Sequence, residues 1–371
     1  MLKKLLVPAA TLAVTVLLCL AATEIVVRLA RPRPRLVITP GGFYTPDPPG
    51  PYRLSPGYHG RIYNRVEHSN EIRINEAGLR GAEIGLPSAE LLRVLTVGDS
   101  FAFGVGVEDT ETFTALLPAA LDREGIQAEG LNAGTPAFGV PDAESWFRRH
   151  GVGLTPDLVI LAIFLGNDLV DASPDREEIL VVDGLLVPAQ SSGGIKAWLH
   201  RHSHLFVAIK DLLEQPGFQP LRAKLGLGEP WKIRTLREEL SVYEKSAGQE
   251  LKPAIDATAQ ALGRFMDLSE ELGFELVAVL IPSEIQLEPD RWHASVTGLG
   301  LDPAEYDPSI PTRVFQDLLA RHDIPTLDLS PPFAAGLSRG EELYFRFDRH
   351  WTAEGHQLAA DELARFLVAH R

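Results

Sequence analysis

The stretch "RVLTVGDSFAFGVGV", residues 93–107, runs an apolar segment into Gly98-Asp99-Ser100 and then turns through phenylalanines and glycines. Val94 to Val97 reads as a strand buried on both faces, because a short apolar run bounded by turn residues suits such a strand. Ser100 therefore stands at a strand end. A serine there is either a turn or capping residue, the usual fate of a lone serine after a strand, or a nucleophile in need of a base.

Outward from this strand, apolar runs alternate with helical periodicity. After "RVLTV" come a helix from about Thr112 to Glu124, "GLN" at 130–132, a helix near Ala143 to His150, and "DLVILAIFL" at 157–165. Later come a helix near Ala254 to Leu272, "FELVAVLIP" at 274–282, a helix near Thr312 to His322, "IPTLDL" at 324–329, and a closing helix after Thr352. Such alternation predicts an α/β fold, a doubly wound parallel sheet of about five strands with helices on both faces. In sheets of this kind ligands sit at the carboxyl ends of the strands, so the loops that follow strands are the places to look for chemistry.

Between Asp168 and about Lys252 the alternation lapses. "EILVVDGLLVP" at 178–188 reads as a hairpin around Asp183-Gly184, and "IKAWLHRHSHLFVAIKDLLEQ" at 195–215 as an amphipathic helix. The stretch is expected to be an insertion overhanging the carboxyl edge of the sheet.

At the amino end, Lys3 and Lys4 precede an apolar run from Leu5 to Ala22 that extends through Ile25 to Val27 after a single Glu24. That length suffices for one membrane span at about 1.5 Å rise per residue. A small-x-small cleavage site does not follow the run, which favours an uncleaved anchor over a signal peptide. Arg28, Arg31, Arg33 and Arg35 outnumber the two lysines, so a positive-inside count leaves the orientation open. "RPRPR" and "TPDPPGPYRLSPG", within residues 31–57, read as an extended spacer, since proline fixes φ and removes backbone donors. "NEIRINEAGLRG" at 70–81 is a β-prone piece with loop chemistry, expected to pack against the main domain.

The 371 residues suffice for one large α/β domain or two small ones. A formal charge of −15 without a block of like charge disfavours nucleic acid as a partner. Cys19, the only cysteine, excludes an internal disulfide and a cysteine-based metal site. His200 and His204 share a helix face at i, i+4, with His202 between them. No acidic or cysteine ligand stands at a useful spacing, so a surface cluster is the preferred reading. "GDSFAFGVG" lacks the lysine of a phosphate loop and the glycine order of a dinucleotide site.

Ser100 needs a base and a site for the oxyanion that acyl transfer would create. Gly134 in "NAG" and Asn167 in "GND" each follow a different strand on the edge where Ser100 lies. A glycine lets its N–H approach an oxyanion closely, and an asparagine amide adds an uncharged donor; singly, either is equally a turn residue. In "YFRFDRHWTAEGHQ" Asp348 and His350 precede a helix capped by Thr352. An acid two residues from a histidine on a loop can orient the ring and leave its other nitrogen for a serine, whereas a surface histidine beside a capping acid is the plain alternative. His356 is the rival base, but it lies within the helix. Trp351 is expected to pack in the core.

Together these blocks resemble the SGNH, or GDSL-type, hydrolase family, from about Arg93 to the end without the insertion. The resemblance implies a three-layer flavodoxin-like α/β/α domain and ester chemistry without metal or cofactor. Ser100 would attack the ester carbonyl, His350 would act as base and then acid, and Asp348 would orient His350. The Ser100 N–H, the Gly134 N–H and Asn167 would hold the oxyanion. Many family members place two residues between acid and base, whereas only Arg349 intervenes here. The "D-x-H-W" form resembles bacterial enzymes that add or remove acetyl groups on cell-surface polysaccharides, several of which place the serine after the Asp-His pair.

A span, a proline-rich spacer, an "N-x-x-G-L-R-G"-like piece and "GDS" also resemble membrane-anchored bacterial members. The resemblance implies a single-pass protein with its catalytic domain outside the cytoplasmic membrane. The expected organisation is a transmembrane anchor over 1–30, a spacer and N-terminal extension over 31–90, and the hydrolase domain over 91–371 with its insertion at about 169–252. The expected activity is hydrolysis of O-acetyl or similar small acyl esters, on a glycan. The alternatives are an acyltransferase using the same residues with a membrane acyl-donor partner, and a catalytically silent glycan-binding module.

Overall fold

The computed structural model describes residues 2–30, 41–64, 67–189 and 231–370, and between the last two 195, 198, 199, 202–213, 218, 221 and 224. Residues 31–40 of the expected spacer and His200 of the histidine trio lie outside the described residues. The chain forms two compact units: residues 1–36 with 188–231, and residues 37–187 with 232–371.

The second unit is built on five strands: β1 (Leu92–Val97), β2 (Ala128–Asn132), β3 (Leu158–Phe164), β4 (Glu275–Ile281) and β5 (Thr326–Asp328). They lie parallel in the order β2-β1-β3-β4-β5. This is the flavodoxin-like order, whose connections change direction between β1 and β3, so a crevice opens at the carboxyl ends of those two strands. Ser100 follows β1 and Asn167 follows β3.

Side chains alternate across each strand, which divides the core in two. On one face Val94, Ile160, Ala162, Val277 and Val279 meet Phe113, Leu117 and Leu121 and, from the closing helix Ala353–Ala369, Ala360, Leu363 and Leu367. On the other, Leu95, Val97, Leu161, Ile163 and Leu280 meet Phe147, Leu262, Phe265 and Phe315. Each such leucine or phenylalanine contributes about 1.5–3 kcal/mol by leaving water, so both faces must be covered.

Local chemistry sets the helix boundaries. Thr112 Oγ1 accepts from the Ala115 N–H at 3.2 Å and starts the helix Phe113–Asp122; Thr352 does the same for Gly355 and the closing helix. The long helix Lys252–Leu272 ends at Gly273, whose φ of 77° is left-handed. Asp183 and Gly184, with φ of 54° and 70°, make the tight turn between the strands Ile179–Val182 and Leu185–Pro188.

"NEIRIN" enters a hairpin that began earlier in the sequence. His59–Asn64 pairs antiparallel with His68–Arg73, and Ile62, Ile72, Ile74 and Leu79 join the core together with Phe43, Tyr52 and Leu54. The buried aromatic residues at 43 and 52 explain why the proline-rich stretch from 41 on is folded rather than a free spacer.

In the first unit, Leu2–Ala30 is one helix of 29 residues. The lone acid of its apolar run has a structural task. Glu24 accepts from Ser203 Oγ at 2.8 Å and from the His204 and Leu205 N–H groups at 2.8 and 2.9 Å, capping the helix His204–Leu213. Arg28 donates to Glu24 and to the His202 carbonyl, both at 2.6 Å. Among the described residues, no helix is long and apolar enough to cross a membrane.

Candidate active site

Ser100 opens a one-turn helix, Ser100–Phe103, immediately beyond β1. Asp99 caps it, accepting the Phe101 N–H at 2.9 Å. The approach to the turn requires glycine at 98: φ is 152°, and a methyl group there would stand 2.5 Å from the Ala162 carbonyl oxygen on β3. The end of the turn is held by Arg80, from the "GLRG" piece. Its fully buried guanidinium donates to the carbonyls of Phe103, Gly104 and Val107 at 2.7, 2.5 and 2.5 Å and to Asp109 at 2.9 Å. The serine is thus fixed from both sides.

His350 Nε2 lies 2.8 Å from Ser100 Oγ, and His350 Nδ1 lies 2.5 Å from Asp348 Oδ1. Asp348 only accepts when ionised, so Nδ1 carries the ring hydrogen and Nε2 is left to accept from the serine hydroxyl. Burial alone would raise the Asp348 pKa. Hydrogen bonds from His350 and His68 outweigh it and hold the carboxyl well below the usual carboxylate range. The single intervening residue, Arg349, adopts a left-handed φ of 70°, uncommon for a residue with a side chain, and this turn accompanies the convergence of Asp348 and His350. The Arg349 guanidinium is held by an ion pair to the buried Glu239, which in turn accepts from Ser283 at 2.6 Å.

His356, the rival base, is 1% exposed and faces the core. Its Nδ1 accepts the Phe113 N–H at 3.2 Å, and its ring lies against Phe113 and Trp351. Burial, with the nearby charge of Arg80, pushes it down to about 3, so it is neutral and already committed. Trp351 is fully buried among Phe101, Phe113 and Phe333.

Gly134 and Asn167 stand on the same edge of the sheet, and each is already engaged. The Gly134 N–H donates to Asn132 Oδ1 at 2.9 Å. A methyl group at 134 would come within 2.1 Å of the Phe103 nitrogen, so glycine is required there for close packing on the serine-bearing turn. Asn167 Nδ2 donates one hydrogen to Asp171 at 2.9 Å, and its Oδ1 is buried without a partner. The amide retains a second N–H for another acceptor.

The surroundings are acidic. Burial raises Asp99 to about 6 against the opposing Phe101 N–H, and raises Asp171 to about 7 against Arg176. A cavity of about 750 Å³ is lined by Pro46, Pro51, Asp142, Arg176, neighbouring residues and Asp171, the acceptor of the Asn167 amide. Among the described residues no group of three potential metal ligands occurs.

Residue type and spacing do not single out Glu67, His68, Arg80 or Glu239. Each braces the serine or the Asp-Arg-His loop from a remote segment, and only Arg80 lay in a piece with a visible pattern.

A flavodoxin-order sheet with a serine after its first strand, bonded to the histidine of an Asp-x-His-Trp block ahead of the closing helix, is an arrangement similar to that of SGNH/GDSL-type esterases and acyltransferases. Residues 240–371 match the family described as ALGX, an SGNH hydrolase-like domain of the acetyltransferase AlgX. The chain is also 28% identical over 130 residues to the probable alginate O-acetylase AlgJ of Pseudomonas fluorescens, an alignment covering 32% of this chain. It spans only 30% of the length of that relative. Among solved structures it is similar to the acetylxylan esterase Axe2 of Geobacillus stearothermophilus at 14% identity and a TM-score of 0.40, over 76% of this chain and 94% of that one. It is likewise similar to a lipase/acylhydrolase of Enterococcus faecalis at 13% and 0.39, over 76% and 97%. Ser100, Gly134 and Asn167 lie outside the family-matched segment, which holds Asp348 and His350.

Proposed function

We propose that this chain handles O-acetyl esters of a polysaccharide through an acyl-enzyme on Ser100. The observation that carries the proposal is the Asp348–His350–Ser100 chain of contacts, at 2.5 and 2.8 Å. In the first step His350 Nε2 takes the hydroxyl proton as Ser100 Oγ bonds to the acyl carbon. The carbonyl electrons move to oxygen, then return as the sugar oxygen leaves with the proton from His350. Water, activated by the same ring, attacks the acyl carbon and releases acetate, restoring Ser100. Asp348 keeps the Nδ1–H in place and stabilises the imidazolium. The Ser100 N–H and the free N–H of Asn167 are the proposed oxyanion donors. The Gly134 N–H joins them on exchanging its bond to Asn132 for the oxyanion.

The substrate class is supported by the acetylase and acetyltransferase among the similar sequences. Those relatives also favour a second reading, in which a sugar hydroxyl replaces water; transfer of this kind would take its acetyl group from a membrane acyl-donor partner, since this chain shows no acyl-donating domain of its own among the described residues. A silent binding module is disfavoured by a serine already hydrogen-bonded to its base. We further propose an N-terminal membrane anchor, read from the apolar run Leu5 to Ala22 of the sequence, with the catalytic unit outside the cytoplasmic membrane, as the resemblance to membrane-anchored members implies.

The test incubates the full-length protein with O-acetylated polysaccharide, with and without unacetylated acceptor, and follows free acetate against acetyl transferred. Acetate release that Ser100→Ala abolishes supports hydrolysis, and acceptor acetylation at the expense of acetate supports transfer. Neither product above the Ser100→Ala background refutes the proposal. Resistance of the membrane-bound protein to carbonate extraction, lost on deleting residues 1–30, tests the anchor.

A further inference from the structure

Asp348 has two carboxylate oxygens, and the mechanism above uses one. The other, Oδ2, lies 3.3 Å from Nε2 of His68, which comes from the N-terminal hairpin 280 residues away. Both side chains are almost fully buried, at 2% and 4% exposure. The preceding residue, Glu67, reaches the same loop: its carboxylate accepts the Phe347 N–H at 2.9 Å and the Asp348 N–H at 2.8 Å. Two consecutive residues thus hold one aspartate by its backbone and by its side chain.

We propose that His68 is a positioning residue for the reaction, donating to Oδ2 of Asp348 so that Oδ1 stays aimed at His350, and that Glu67 fixes the backbone of the same loop. The inference rests on the roles given above to Ser100, His350 and Asp348. Its physical basis is the cost of a buried charge. An ionised carboxylate out of water needs donors on both oxygens, and the terminal torsion of aspartate is broad, so one hydrogen bond does not fix its plane. Since Asp348 only accepts, Nε2 of His68 must carry the hydrogen. The ring is wedged against Phe345 with centroids 5.1 Å apart, and its Nδ1 is buried without a partner. The Oδ2 contact is therefore the polar function of a histidine otherwise surrounded by packing. Without that donor, Asp348 turns or takes up a proton, and either change loosens its hold on the Nδ1–H of His350.

The test compares His68→Leu, which fills similar space without a donor, with His68→Gln, whose amide restores an N–H near the position of Nε2. His68→Met, also without a donor, substitutes should the leucine variant not fold. The full-length proteins are assayed on p-nitrophenyl acetate, with denaturation midpoints measured alongside. The donorless variant should lose about 10–100-fold in kcat with KM within about 3-fold of wild type, and His68→Gln should recover at least about 10-fold of any larger loss, or most of a smaller one. A donorless variant within about 2-fold of wild type in kcat overturns the proposal. So does an equal loss in the leucine and glutamine variants, which would mark His68 as packing alone. Ser100→Ala run in parallel separates the two levels: activity surviving in it defeats the reading of the site, whereas an inactive Ser100→Ala beside an unaffected His68→Leu defeats only the role of His68.

Discussion

His350 and Ser100, 250 residues apart in the chain, meet at 2.8 Å between Nε2 and Oγ. A hydroxyl donated to a neutral imidazole is one proton transfer from attack, so removing either partner should remove most of the activity. Ser100→Ala and His350→Ala should each lower kcat on p-nitrophenyl acetate by about 10³-fold or more, and combining them should cost little beyond either alone. Additive losses would show that the two side chains do not act as a unit.

His356 provides the contrast. It is a core residue that accepts one backbone N–H, and replacing it should affect folding rather than chemistry. His356→Phe should keep kcat within about 3-fold of wild type while costing about 1–3 kcal/mol of stability, because the buried Phe113 N–H loses its acceptor. Urea denaturation and the ester assay on the same preparation check both halves. Activity lost without a change in stability would return His356 to the list of candidate bases.

Arg80 braces the serine-bearing turn through three carbonyls and Asp109. A lysine has one nitrogen and cannot reproduce the planar fork. Arg80→Lys should therefore lower stability by about 2–4 kcal/mol, in line with leaving buried polar groups unpaired, and should reduce kcat in the molecules that remain folded. An unchanged unfolding midpoint would contradict this account of the Arg80 contacts.

Asp171 makes stability depend on pH with a definite sign. Burial raises its pKa to about 7 in the folded chain despite Arg176. In the unfolded chain an aspartate titrates near about 4. The folded state thus binds a proton that the unfolded state has already released. This contribution is complete below about pH 4 and is lost as pH rises through about 7. Asp171→Asn carries no such titration, so its denaturation midpoint should gain on that of wild type between pH 5 and pH 8. Parallel midpoints across that range would refute the assignment.

Gly134 is tested by a single methyl group. Gly134→Ala would place a carbon within 2.1 Å of the Phe103 nitrogen, a backbone atom with little room to move. The expected result is a loss of about 2–4 kcal/mol, with weaker esterase activity in the folded fraction because the displaced turn carries Ser100. A wild-type melting curve would show that this packing is looser than the backbone indicates.

Three of the five strands, Leu92–Val97, Leu158–Phe164 and Glu275–Ile281, were legible as short apolar runs between turn residues, the other two only by their place in the alternation, and Thr352 marked where the closing helix begins. The positions of Ser100, Gly134 and Asn167 were legible because each follows a strand, and those of Asp348 and His350 because they precede a capped helix. Their partners were hidden for the opposite reason. His68 and Glu67 sit in "VEHSNE" with no periodicity or local acid to single them out, and they reach Asp348 only because a hairpin with a buried face packs there. Glu239 lies in a helix whose charge pattern reads as solvated surface, yet it is buried against Arg349. The engagement of the Gly134 N–H by Asn132 is likewise a backbone detail that residue types do not encode.

The segment that matches the ALGX family, residues 240–371, carries β4, β5 and the Asp-Arg-His loop. β4 pairs with β3 along its whole length, seven residues in register, and β3 belongs to the unmatched part. Cut out alone, the segment would present that entire edge of β4 to water, with its apolar faces stripped of half their cover. The boundary drawn by sequence likeness therefore runs through the middle of a hydrogen-bonded sheet, and a fragment made along it should be an aggregation-prone peptide rather than a smaller enzyme.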